Sequence, residues 1–135
     1  MNFQFRKMVK PGDLNPNGTL FGGRLLEWID EQAALYAVIQ LEQTRVVTKF
    51  MSEINFVSSA DMSHIVEIGV EPVKFGRTSL ILRAEARNKM TQQTILTIEN
   101  ITFVCLDKNG VPFPHGKTKV EYVKDRLKKR GELKE

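Results

Sequence analysis

Cysteine is nearly absent: the 135 residues hold one, Cys105. A single thiol excludes an intrachain disulfide. It lies in the strand-like run "ITFVCLD", where a packed small hydrophobe is favoured over a nucleophile. Histidine is scarce too. His64 and His115 stand far apart, which argues against a zinc site of the usual kind. Aromatic residues make up only 8% of the chain, and the interleaved aromatics of a base-stacking platform are missing. No window approaches the roughly 20 apolar residues of a membrane span. The N-terminal "MNFQFRKMVK" lacks the apolar stretch of a signal peptide. These absences lead to an expected cytoplasmic protein with no membrane partner, no metal and no redox cofactor, and they disfavour nucleic acid.

The remaining composition is that of a globular domain, 41% hydrophobic and 27% charged. The length suits one modest core. A net charge of +4 and a pI of about 9.3 favour anionic ligands without identifying one.

Along the chain, Phe3, Phe5 and Met8 suggest a short strand. "KPGDLNPNG" is dense in turn residues. In "TLFGGRLLEWIDEQAALYAVIQLE", Leu25, Leu26, Ile29, Ala33, Ala37 and Val38 recur at spacings of three and four, which predicts a helix buried over much of its girth. The period then changes to two. "RVVTKFMSEINFV" places Val46, Phe50, Ile54 and Phe56 on one face, with Thr48 and Ser52 between them. "HIVEIGVEPVKF" follows, with Val66, Ile68 and Val70 on one face and a bulge or edge expected at Pro72. Leu80, Leu82, Ala84 and Ala86 form one face of the next strand, and "QTILTIENITFVCLD" is a long strand with mixed faces. "TKVEYVKDRLKKRGELKE" reads as a charged C-terminal helix. One helix followed by long strands and short turns predicts an antiparallel sheet curled around it. The expected division is a domain over 1–116 and a basic helical extension over 117–135.

Several residues invite chemical readings. Asp30 is an acid in an apolar helical face, where desolvation can make a carboxylate more basic; it serves as a base or nucleophile, or it is partly exposed, or it pairs with an arginine such as Arg24 or Arg45. Gly22 and Gly23 stand at the helix entry. Their amides can meet a developing anion there, or the glycines merely allow close packing. Asn15 orients a reactant or forms an Asx-turn. In "KFGRTS", Lys74, Gly76, Arg77, Thr78 and Ser79 make either a phosphate-facing groove or an ordinary hairpin with solvated basic residues.

The combination Asp13-x-Asn15-x-x-Gly18-x-x-Phe21-Gly22-Gly23, then Leu26 and Asp30 in "WIDEQAA", resembles hotdog-fold acyl-CoA thioesterases. It resembles the branch that contains the YciA-type enzymes and the cytosolic acyl-CoA hydrolases. The resemblance implies an α+β hotdog fold: one long central helix wrapped by a curved antiparallel sheet of about five strands. It implies hydrolysis of acyl-CoA to a free acid and CoA, with Asp30 as base or nucleophile, a Gly22 or Gly23 amide polarising the carbonyl, and Asn15 acting opposite Asp30 from another subunit. The "KFGRTS" segment would line the pantetheine and nucleotide groove. A homo-oligomer follows, at least a dimer and by the resemblance a trimer of dimers. A non-hydrolytic acyl-CoA binder is the alternative, and it would not need Asp30. The family often carries a Gly-Asp pair after the strand that follows the helix; Ser63 and His64 stand there instead.

Overall fold

The computed structural model describes residues 1–121. Its elements run β1 (Phe5–Met8), a 3-10 turn (Pro11–Asp13), α1 (Gly22–Leu41), β2 (Val46–Met51), β3 (Ile54–Phe56), β4 (Ile65–Phe75), β5 (Ser79–Asn88) and β6 (Thr94–Cys105). All strand pairs are antiparallel, in the order β1-β4-β5-β6-β2, with β3 also paired to β6. β2 and β3 are two pieces of the one strand expected from sequence. They part at Ser52, whose amide donates to Asn100 O while its hydroxyl accepts from Asn100 N.

The sheet wraps α1. Leu25, Ile29, Ala33, Ala37 and Leu41 recur every four residues and are fully buried. They face a sheet lined by Leu80, Leu82, Ala84 and Ala86, the β5 face expected from sequence. Alanines on both elements allow a close approach, and Leu80 and Leu82 supply much of the apolar volume. Truncating either leucine would cost about 2–5 kcal/mol. Cys105 is buried and free, as a small hydrophobe would be. The register slips between Pro72 and Lys74, the irregularity expected at that proline.

Four expectations change. The first strand begins at Phe5 rather than Phe3. The helix is not enclosed all round: Leu35 and Ile39 are 49% and 55% exposed, because the sheet covers only one side. Phe50 and Phe56 do not join the core, being 57% and 56% exposed. β2 pairs with β6 alone, and its register slips between Thr48 and Phe50, so the simple alternation fails on this edge strand. Residues 117–121 are not helical; the rest of the expected C-terminal helix, 122–135, lies outside the described residues. Among the described residues, no helix is long and apolar enough to cross a membrane.

Candidate active site

The loop before α1 is built by its own polar side chains. Asn15 Oδ1 accepts from the amides of Asn17 at 2.9 Å and Thr19 at 3.1 Å, and Nδ2 donates to Thr19 Oγ1 at 3.0 Å. This is the Asx-turn among the two readings of Asn15. It leaves one Nδ2 hydrogen without a partner among the described residues. Gly18 closes the turn at φ +80°, a conformation that favours glycine. Leu14 bridges to Leu20, and Asp13 O accepts the Phe21 amide at 2.9 Å. Asp13 is buried. It accepts from the Lys10 amide and faces Arg24 on α1 at 3.5 Å. The loop is therefore tied to the first turn of the helix it precedes.

No side chain caps α1 at Phe21. Among the described residues the amides of Gly22 and Gly23 have no partner, so they can meet an acceptor. The two glycines differ. A methyl group at Gly22 would press against the Phe56 ring at 3.1 Å, whereas one at Gly23 would meet nothing within 4 Å. Close packing thus accounts for Gly22. It does not account for Gly23, which faces open space.

Asp30 lies further along α1 on the flank beside β2. It is half-buried rather than sealed among apolar groups, and its Oδ1 accepts from Thr48 Oγ1 at 2.8 Å. Arg24 pairs with Asp13 and Glu27 instead, so the ion pair considered for Asp30 does not form with it. Among the described residues Asp30 has no ion pair. Thr48 was not singled out from sequence, although a signal was present: it is a hydroxyl among the apolar residues of its strand parity. Ala33 is buried and Ala34 half-buried beside Asp30.

The "KFGRTS" segment spans the end of β4, the turn at Gly76, Arg77 and Thr78, and the start of β5. The Gly76 amide donates to Ser79 O at 2.9 Å, and Thr78 O accepts from the Cys105 amide at 2.8 Å. Any side chain at Gly76 would collide with Ser79 Oγ. Lys74 and Arg77 are exposed and make no ion pair among the described residues. The single chain thus presents the hairpin, with both cations free at its surface. His64, at the place of the family's acid, accepts from the Asp61 amide at 3.1 Å through Nδ1 and contacts Asn88 Nδ2 at 2.9 Å. Its role in this geometry is to hold two turns together.

The profile of the thioesterase superfamily matches residues 17–95. An uncharacterised acyl-CoA thioester hydrolase of Haemophilus influenzae is 29% identical over 78% of this chain and 71% of that one. The acyl-CoA thioester hydrolase YciA of Salmonella typhimurium is 29% identical over 81% of this chain and 86% of its own length. Among solved structures, a hexameric thioesterase of Yersinia pestis superposes with a TM-score of 0.77 at 26% identity, covering 84% of this chain and 93% of that one. An acyl-CoA hydrolase of Staphylococcus aureus, in complex with butyryl coenzyme A and coenzyme A, gives 0.73 at 27% identity, with 82% and 66% covered. Two further structures of the Staphylococcus aureus protein carry alanine in place of an aspartate and of an asparagine. Those two positions are as far apart in its sequence as Asn15 and Asp30 are in this one.

Proposed function

The chain belongs to the thioesterase superfamily, and from that membership we propose that it hydrolyses acyl-CoA to a carboxylic acid and CoA, with Asp30 as general base or nucleophile. The observation that carries the reading is Asp30 itself. It is a carboxylate on an open helix flank, fixed by one hydroxyl and free of ion pairs among the described residues. In the water route Asp30 takes a proton as water adds to the thioester carbonyl carbon. The oxyanion is held by a backbone amide. The C–S bond then breaks, and the thiolate of CoA leaves and is protonated.

Helix geometry adds a constraint. Gly23 and Asp30 are seven residues apart, a rise of about 10 Å along α1. A carbonyl group spans far less, so one chain does not bring both to one thioester. The natural completion is a second copy. Its Asn15 loop and Gly23 amide would then oppose Asp30 and Thr48 of the first. The surface for that pairing is the β2 edge, with Val47, Phe50, Phe56 and Val57 exposed beside it, and an open edge with apolar side chains is suited to adding a strand. The hexameric relatives support a homo-oligomer, and a trimer of dimers is the assembly proposed. Arg77 on the β4–β5 turn and Lys74 at the end of β4 would meet the phosphates of CoA.

The test is thiol release from acyl-CoAs of two to sixteen carbons, counted roughly, by wild type and Asp30→Asn. Loss of general base catalysis predicts a fall in kcat of about a hundredfold or more. Equal rates would make Asp30 structural. A wild type that binds CoA but hydrolyses no chain length would leave the non-hydrolytic binder.

A further inference from the structure

His115 lies beyond the sheet, in a segment that the proposed reaction does not use, yet it is 8% exposed, and its backbone amide and both ring nitrogens are engaged. After β6 the chain turns at Asp107–Gly110, where Asp107 Oδ1 accepts from the amides of Asn109 and Val111. It then comes back beside the β4–β5 turn. Leu106 bridges to Pro112, and the Phe113 amide donates to Cys105 O at 3.1 Å. His115 is thereby set against the turn. Its own amide donates to Arg77 O at 3.3 Å. Its Nδ1 accepts from the Lys117 amide at 3.0 Å. That bond assigns the ring proton to Nε2, which donates to Ser79 O at 2.9 Å. The Phe75 ring packs edge-on to the imidazole. Lys117 continues the segment to the end of α1, where Nζ reaches Glu42 Oε2 at 2.9 Å.

We infer that His115 is a positioning residue for the CoA moiety: by holding the carbonyls of Arg77 and Ser79 it sets the shape of the turn that presents Arg77 and Lys74 to the phosphates. Two of the four carbonyls from Gly76 to Ser79 are held by this one residue, and Ser79 O also receives the Gly76 amide. The turn is a short surface hairpin whose cations make no ion pair among the described residues. Its geometry is thus set from behind, by the His115 contacts and the Cys105–Thr78 bond. A group that acts this way lowers KM for substrates that carry the nucleotide and has little effect on a thioester that lacks it. The inference rests on the reading of the turn as the CoA site.

The experiment compares acyl-CoA with the same acyl group on N-acetylcysteamine, a thioester without pantothenate, nucleotide or phosphate. Wild type, Arg77→Ala, His115→Leu and His115→Gln are assayed, and folding is followed by thermal melting. The expected result is a rise in KM of about tenfold for acyl-CoA with both Arg77→Ala and His115→Leu, kcat changed less than about twofold, and turnover of the truncated thioester kept. His115→Gln should restore the low KM, because its amide N–H replaces Nε2–H toward Ser79 O. If Arg77→Ala raises KM and His115→Leu does not, the positioning role is overturned while the CoA reading of the turn stands. If neither raises it, the reading of the turn itself fails. Equal losses on both substrates, or no rescue by glutamine, would make His115 merely structural and overturn the inference. Should His115→Leu not fold, wild type labelled with nitrogen-15 histidine decides: saturating CoA must shift the His115 ring signals and leave those of His64 in place, and an unmoved His115 overturns the role.

Discussion

Asp30 and Thr48 meet because α1 and the edge strand β2 pack side by side, and each supplies one polar group to that seam. The hydroxyl accounts for one carboxylate oxygen and leaves the other without a partner among the described residues. Asn15 serves its own loop first, and the same bonds that occupy its carbonyl oxygen orient the remaining N–H. Ser63 shows a different economy at this scale. It stands where related sequences often have glycine, and it adopts φ +72°, a left-handed conformation that costs a side-chain-bearing residue about 1–2 kcal/mol. Ser63→Gly is therefore expected to stabilise the fold by about 0.5–1 kcal/mol, the entropy of the unfolded glycine offsetting part of the relief. Urea denaturation reads this, and an unchanged or lower midpoint would mean the serine contributes something the backbone does not reveal.

At the scale of elements, the outer face of the sheet is stitched across strands by charge. Glu67 on β4 is 1% exposed. It accepts from Arg6 on β1 at 3.0 Å and Arg87 on β5 at 2.9 Å, and Lys89 lies at 3.6 Å. Its cover is the long arms of these partners, themselves partly exposed. Burial pushes its carboxyl up, but the Arg87 hydrogen bond and the charges of Lys89, Arg87 and Arg6 outweigh that and hold the pKa below the ordinary 4.5. A carboxyl lowered on folding stabilises the protein above its unfolded pKa, and the stabilisation is lost as pH falls through the folded value. Glu67→Gln is expected to cost about 2 kcal/mol near neutrality. The gap between variant and wild type should close as the pH drops below about 4.5. Melting curves across that range check the sign, and a gap that widened in acid would refute it.

At the scale of the whole molecule, the proposed reaction needs a second copy, because Gly23 and Asp30 are seven residues apart on one helix. Variants damaged on opposite halves of such a site rescue one another. Asp30→Asn and Asn15→Ala are each expected to be nearly inactive alone. Unfolded together and refolded at equal amounts, they should regain about a quarter of wild-type activity, since half of the dimers are mixed and each mixed dimer holds one intact site. A site contained within one chain would give no recovery.

Much of this protein is determined by stretches of sequence acting locally. The order of helix and strands, the buried face of β5, the irregularity at Pro72 and the polar loop before α1 follow from periodicity and turn chemistry, which each segment carries within itself. The motif from Asp13 to Asp30 was legible for the same reason, since its spacing lies within one loop and one helix. The sheet order decided the rest. Phe50 and Phe56 have the residue type and alternation of core positions, and only the place of β2 and β3 at the edge leaves them exposed. Thr48 and His115 gained their roles through contacts with Asp30 and with the Gly76–Ser79 turn, partners 18 and 36 residues away in sequence. Pairings of that range are properties of the closed sheet. No single strand encodes which of its neighbours it will have, and so which of its side chains will lie on a free edge.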